Sequence, residues 1–281
     1  MIRIATDSAT DLPAEFLTEY GVSMVPINIQ FGTETYEDGV DLDRATFYRK
    51  IEELKILPTS SQPSVGQFVE RYKALIAEGA TDIISIHVTA KLSGTLRSAE
   101  LAKQMLRDQV RIHTFDSACG SAGIGFMVLE AARMAQANEL VPKIMARLET
   151  IRQRMTLVLT LEDLRFAQMS GRVGRLQSSL SSLLNIKPLI LLEDGVIDVV
   201  EKVRSRRKAI QRMLEMVAER VGTTEPVNLA IVHADVFEES QELLEQAKRR
   251  FNCQETFVEN LTTTLLVHFG PGTLAVVAYR V

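Results

Sequence analysis

Residues 57–68, LPTSSQPSVGQF, place three hydroxyls and a carboxamide (Thr59, Ser60, Ser61, Gln62) between two prolines. A second run, LSGT at 92–95, sets Ser93 and Thr95 on either side of Gly94. Ser64 followed by Gln67 fits the S-x-x-Q capping box, and Phe68, Tyr72, Leu75 and Ile76 then share one helical face. The first run is therefore a loop feeding a helix N-terminus, and Ser93-Gly94-Thr95 opens a second helix. A carboxylate or phosphate removed from bulk water needs several donors, and a helix N-terminus supplies free backbone N–H groups at the positive end of its dipole. Hydroxyls add donors without adding charge, and Gly94 lets the backbone approach a ligand closely. The same residues also suit plain turns and caps, with Ser64 and Thr95 doing no more than starting their helices. Spacing alone leaves both readings open.

The stretch VHFGPGTLAV puts His268 just before Gly270-Pro271-Gly272, which predicts an imidazole held at a rigid corner ahead of the last strand. Such a ring donates one hydrogen bond to a carboxylate when neutral and a charge-assisted one when protonated, or it satisfies a nearby carbonyl. His87, His113 and His233 are scattered without ligand spacing and read as core or surface residues, so no metal is expected. Arg165, Arg172 and Arg175 surround Gly171 and Gly174, and the segment 204–212 adds Arg204, Arg206, Arg207, Lys208 and Arg212. In an acidic chain this is a concentrated positive patch, fit to dock an acidic partner or a phosphate, or simply a solvated helix face. The apolar run SLSSLLNIKPLILL is either a pocket wall or core.

The elements that must position these groups follow from periodicity. Over the first half, short β-branched runs (IRIAT, VSMVPINIQF, TDIISIHV, VRIHTF) alternate with helical periods, which predicts βα units on a mainly parallel sheet. Asp43 is a plausible N-cap for the helix that follows the second run. Asp116-Ser117-Ala118 echoes Asp7-Ser8-Ala9, and both triplets follow strands, so two polar corners are expected on one sheet edge, where open α/β folds place ligands. From about 156 the pattern changes to TLVLTL and the hairpin PLILLEDGVIDVVEKV around Asp194-Gly195, which predicts antiparallel pairing. The expected organisation is an N-terminal α/β domain over 1–155 and a C-terminal α+β domain over 156–281. With 281 residues, 46% of them hydrophobic, the chain can bury a large core. Its net charge of −4 argues against a nucleic-acid coat. Two cysteines exclude a disulfide framework, and MIRIATDS reads as a strand rather than a leader, so a soluble cytoplasmic protein is expected. The signatures G-x-x-x-x-G-K-[ST], G-x-S-x-G and H-E-x-x-H do not occur.

Taken in order, ATDSATDL, TSSQPS, LSGT, FDS, SGRVG with NIKPLI, EKVRSRRKAI and HFGPG resemble the DegV family of bacterial fatty-acid-binding proteins, and the resemblance runs from residue 1 to 281. It implies a two-domain fold with a long-chain fatty acid in a tunnel between the domains and no cofactor. Carried over position by position, it implies a carboxylate site at Thr59, Ser60, Ser93, Gly94, Thr95 and His268. It further implies a non-enzymatic carrier that presents its acid to a fatty acid kinase, giving an acyl-phosphate for phospholipid synthesis, with transient contact at a membrane surface. Arg172 and Arg204 would then dock the partner or handle phosphate. The sequence departs from the family at Ser60, where many relatives carry threonine, and in the loop SGRVGRLQSS.

Two other readings compete. One is a hydrolase or phosphotransferase acting on a small carboxylate or phosphate, with Ser93 as nucleophile and His268 as base, which lacks an evident third residue to orient the histidine. The other is an adaptor whose basic patch over 165–212 carries the whole function, which leaves the hydroxyl clusters unexplained.

Overall fold

The structure, a computed structural model, describes residues 1–162, 164–172 and 186–281. Gly174, Arg175 and the SLSSLLN part of the apolar run lie outside the described residues. The chain forms two compact units, Met1–Arg152 with Thr262–Thr264, and Gln153–Leu261 with Leu265–Val281.

The first unit contains β1 (Ile2–Asp7), α1 (Ala14–Glu19), β2 (Ser23–Val25), β3 (Asn28–Phe31), β4 (Glu34–Glu37), α2 (Arg44–Leu54), β5 (Thr59–Ser61), α3 (Val65–Ala77), β6 (Asp82–His87), α4 (Thr95–Met105), β7 (Arg111–Asp116), α5 (Ala122–Gln136) and α6 (Val141–Arg154). Its main sheet is wholly parallel in the order β2-β1-β6-β7. The order reverses between β1 and β6, so their carboxyl ends flank the crevice in which open α/β sheets hold ligands. One face of the sheet is covered by α3 and α4, through Phe68, Tyr72, Leu75, Ala99, Ala102 and Leu106 against Ala5, Val25, Ile83 and Ile112. Helix α5, buried over most of its circumference, packs against β1 and β6. Asp43 caps α2 as expected, its carboxylate accepting the Thr46 N–H at 2.7 Å.

The run VSMVPINIQF, read above as one strand, is two. Pro26 has no N–H for a ladder, and the Ile27 N–H turns to the Ser8 hydroxyl at 3.0 Å. The chain therefore leaves the parallel sheet after β2, and β3 pairs antiparallel with both β4 and β5 in a separate sheet of order β4-β3-β5. Residues 59–61, expected as loop, become the edge strand β5 of that small sheet.

The second unit contains β8 (Thr156–Thr160), α7 (Arg165–Ser170), β9 (Lys187–Glu193), β10 (Val196–Val203), α8 (Arg206–Val221), β11 (Pro226–His233), α9 (Phe237–Arg250), β12 (Asn252–Asn260), α10 (Thr263–Phe269) and β13 (Leu274–Arg280), with the first two residues of α10 belonging to the first unit. The six strands follow the order β10-β9-β8-β13-β11-β12 and are antiparallel except for β11 with β12. Asp194 and Gly195 turn the β9–β10 hairpin with φ of 50° and 75°, the two positive values a tight hairpin turn requires. Helices α8 and α9 bury Ala209, Met213, Val217, Leu243 and Ala247 against Val158, Leu191, Leu229, Ile231 and Val276. A parallel sheet followed by an antiparallel-rich one is the α/β class expected from the sequence. Among the described residues no helix is long and apolar enough to cross a membrane.

Candidate functional site

Strand β6 lies between β1 and β7, and the corners that follow those two strands hold the loop leaving it. The Asp7 carboxylate accepts the Val88 N–H at 3.0 Å, and Asp116 accepts the Ala90 N–H at 3.3 Å. Each aspartate also accepts the N–H two residues on, from Ala9 at 3.0 Å and Ala118 at 2.9 Å. The Asp-Ser-Ala echo is thus one Asx-turn used twice, each clamping its own corner and the shared loop. Backbone bonds complete the grip, from Ser117 to the His87 carbonyl at 3.1 Å and from Thr89 to the Cys119 carbonyl at 2.9 Å.

That loop delivers Ser93, Gly94 and Thr95 to the start of α4. The Ser93 Oγ accepts the Thr95 N–H at 3.2 Å and shares a hydrogen bond with the Thr95 hydroxyl at 2.8 Å. Gly94 is the N-cap residue and provides no side-chain cap, so Thr95 is not the cap of this helix. Ser64 is a cap, with its Oγ accepting the Gln67 N–H at 3.2 Å while Gln67 Oε1 accepts the Ser64 N–H at 2.8 Å. In β5, the Ser61 Oγ accepts a hydrogen bond from Gln30 Nε2 at 2.6 Å, and the exposed Thr59 hydroxyl faces Gln30 Oε1 at 3.4 Å. The turn after β5 reaches the second cluster, since a Cβ on Gly94 would stand 3.1 Å from the Gln62 carboxamide carbon. The fold therefore sets Gln62, which follows the strand holding Thr59 and Ser60, against Gly94 between Ser93 and Thr95.

This contact makes a prediction. Gly94 has an ordinary φ of −80° and its neighbour is the end of a flexible side chain. Gly94→Ala should displace Gln62 and cost less than about 1.5 kcal/mol in urea unfolding. A loss above about 3 kcal/mol would show that Gln62 is fixed and that the two turns are wedged together.

The sequence reading missed a second polar cluster in the same unit. Asp38, buried, accepts hydrogen bonds from the Thr263 hydroxyl, the Thr264 N–H at 3.2 Å and the Thr264 hydroxyl at 2.5 Å. Asp11 accepts the Thr262 N–H at 2.7 Å and the Ser121 hydroxyl at 2.5 Å. Ser8 pairs with the Thr264 hydroxyl at 3.1 Å. Burial raises the Asp38 carboxyl above its ordinary range, against the lowering effect of its threonine donors. Asp7, Ser8 and Asp11 were visible in ATDSATDL, but their task of clamping backbone from distant segments was not.

In the second unit, His268 occupies the last turn of α10 rather than a corner after it, and the helix closes with the Gly270 N–H on the Leu266 carbonyl at 2.9 Å. Burial, and then the Arg172 guanidinium, hold its imidazole down to about 3, so it is neutral at physiological pH. Of its two expected binding modes only the neutral donor remains. So weak a base is poorly matched to proton abstraction near pH 7, which removes the proton acceptor from the Ser93–His268 enzyme reading. Cys119 offers no substitute nucleophile, because burial pushes its thiol up to about 12.

Arg172 donates to the Ser170 carbonyl at 2.5 Å, and Arg204 is exposed. Two cations of the basic patch are already paired with carboxylates. Arg206 makes a paired contact with Glu239 at 2.6 and 3.0 Å, and Arg212 reaches Glu201 and Glu219 at 2.7 Å and Glu215 at 3.3 Å. Arg204, Arg207 and Lys208 are left as the exposed cations of that segment. His87 is fully buried and His113 pairs with Asp82 at 3.2 Å. Among the described residues no group of His, Cys, Asp and Glu is placed to hold a metal ion.

The whole chain, residues 1–281, matches a family model described as an uncharacterised protein of the DegV family. A DegV domain-containing protein of Halalkalibacterium halodurans is 32% identical over 278 residues, 99% of this chain and 98% of that one. Among solved structures, one described as the fatty acid binding of a DegV family protein from Thermus thermophilus superposes with a TM-score of 0.90 at 29% identity, covering 100% of this chain and 99% of that one. DegV of Bacillus subtilis, described as a fatty acid binding protein, gives a TM-score of 0.90 at 30% identity, again over 100% and 99% of the two chains. The motifs, the parallel sheet with its clamped loop and these full-length matches agree: the chain belongs to the DegV family.

Proposed function

We propose that this protein binds a long-chain fatty acid in the cytoplasm and presents its carboxylate to a fatty acid kinase, without catalysing a reaction itself. The head-group donors are the hydroxyls of Thr59, Ser60, Ser93 and Thr95, the backbone at Gly94 and the neutral imidazole of His268. The observation that carries this reading is the Ser93–Thr95 turn, seated against Gln62 and delivered by a loop that Asp7 and Asp116 hold at Val88 and Ala90. The relatives from Thermus thermophilus and Bacillus subtilis, described as fatty acid binding, support the ligand class.

Burying about 14 methylenes at roughly 0.8 kcal/mol each gives a gross gain of about 11 kcal/mol, enough for retention after ordering costs. An ionised head group must then find several donors or its pKa rises until it is neutral. Hydroxyls, helix-terminal amides and a neutral histidine supply donors without a salt bridge, which leaves the carboxylate free to attack a phosphoryl group held by the partner. Arg172 and the exposed Arg204 are the proposed contacts to that partner or its phosphate, and transient contact with a membrane surface would serve exchange of the acid.

Native mass spectrometry of the purified protein, followed by solvent extraction, tests the reading directly. A bound fatty acid at one per chain is expected, and Ser93→Ala and His268→Ala should each retain palmitate at least tenfold less well while melting within a few degrees of the parent. Equal retention in both variants with unchanged melting would overturn the head-group assignment.

A further inference from the structure

Four buried polar side chains in the first unit form a continuous hydrogen-bonded line. The Tyr72 hydroxyl meets Ser85 Oγ at 2.7 Å, Ser85 Oγ meets His87 Nε2 at 2.7 Å, and His87 Nδ1 meets Asp7 Oδ2 at 3.0 Å. All four side chains are fully buried. Ser85, His87 and Asp7 follow the order of a nucleophilic triad, yet Ser85 is sealed from solvent and its oxygen is occupied by Tyr72, so no substrate reaches it.

One direction of donation satisfies every member of the line. Asp7 already accepts the N–H groups of Ala9 and Val88, as a carboxylate does, so His87 donates to it from Nδ1. With Nε2 as the acceptor, Ser85 donates to that nitrogen and Tyr72 donates to the Ser85 oxygen. Burial raises the Tyr72 phenol, which keeps the terminal donor protonated. Each donor has its acceptor in this one arrangement.

We infer that the Tyr72–Ser85–His87–Asp7 line is a positioning device that fixes helix α3 against the end of strand β6, and through them Gln62, after strand β5, against the Ser93–Thr95 turn. Strand β5 and Gln62 lead directly into α3, and the loop leaving β6 runs directly into Ser93–Thr95. Otherwise α3 is held on the sheet mainly by apolar contacts, which are strong but non-directional. A buried, fully satisfied polar line supplies the direction they lack. Phe68, one turn before Tyr72 on α3, sets its ring edge-on to the His87 ring at 5.1 Å, so the first two turns of the helix both register on this strand end. Sliding α3 along the sheet would break the line and part Gln62 from Gly94.

The inference rests on the fatty-acid reading only for its ligand readout, so the test has two. Tyr72→Phe removes one hydroxyl without opening a cavity, and Ser85→Ala breaks the line at its centre. In Tyr72→Phe, amide hydrogen exchange at Ser93, Thr95 and Ser60 should quicken at least fivefold while Val276–Ala278 in β13 stay unchanged, and palmitate affinity should fall at least fivefold at a temperature well below melting. Ser85→Ala should do the same more strongly, and Tyr72→Phe decides the matter where Ser85→Ala does not fold. A core residue with no positioning role would lower the melting temperature and leave exchange at these segments and palmitate affinity alone; that result overturns the inference, whereas quicker exchange with unchanged affinity upholds the positioning role and counts against the head-group assignment. Failure of the parent protein to bind palmitate would defeat the proposed function, while the exchange measurement would still decide the positioning role.

Discussion

Taking the pH from 7 to 4 should cost the parent protein about 3 kcal/mol more stability than it costs the His268→Gln variant. The imidazole sits at about 3 in the folded chain and near its ordinary value of 6.5 when unfolded, chiefly because burial disfavours its charged form and secondarily because Arg172 is close. Between those values the unfolded chain binds a proton that the folded chain does not. The contribution of the neutral ring is therefore complete above about pH 6.5 and is lost as the pH falls toward 3. Asp38 has the opposite sign, since a folded carboxyl raised above its unfolded value favours the folded state at low pH and loses that advantage as the pH rises. For that reason the quantity to measure is the difference between the two urea-unfolding profiles, in which Asp38 cancels. Parallel profiles would mean that His268 reaches water in the folded state. Arg172→Gln should shorten the parent's acid limb from its low-pH end, so that part of the loss below pH 6.5 disappears, because it removes the smaller of the two causes.

Neutrality of His268 could not have been read from the chain. VHFGPG announces a histidine beside two glycines, but the element bearing it is decided by α10, a seven-residue helix whose first residues are gripped by Asp38 and Asp11 from more than two hundred positions away. The capping box and the two aspartate corners were legible for the opposite reason. Capping boxes, Asx-turns and Gly-centred helix starts are local, so Ser64 with Gln67 and the two Asp-Ser-Ala corners carry their geometry in their own spacing. The split of VSMVPINIQF was signalled by Pro26, whose missing N–H outweighed the continuous apolar pattern. Which cations of the basic patch are paired was not legible, because composition shows cations and not their partners: Glu201, Glu215, Glu219 and Glu239, which pair with Arg212 and Arg206, are spread over the neighbouring strand and two helices. The Tyr72–Ser85–His87–Asp7 line joins a helix and two strands, and only the parallel pairing of β1 with β6 puts its members in one row.

Gly270→Ala should destabilise the protein by about 2–5 kcal/mol, a large loss for a single added methyl. Two costs add there. Gly270 has φ of 73°, the left-handed conformation in which a helix commonly ends and which a Cβ disfavours. The new carbon would also overlap the Phe166 ring, 2.8 Å from its Cγ, and Phe166 is itself buried. A ring in a packed core has no free end to swing aside, which distinguishes this site from Gly94, where the obstacle is the tip of an exposed glutamine. The two substitutions are chemically identical, so the difference between them in urea unfolding isolates the effect of surroundings. Phe166→Leu combined with Gly270→Ala should recover the overlap part of the loss and leave the conformational part. Should Gly270→Ala cost no more than Gly94→Ala, the ring of Phe166 would have to be mobile, and the turn that closes the His268 helix would not be the rigid element its sequence proclaims.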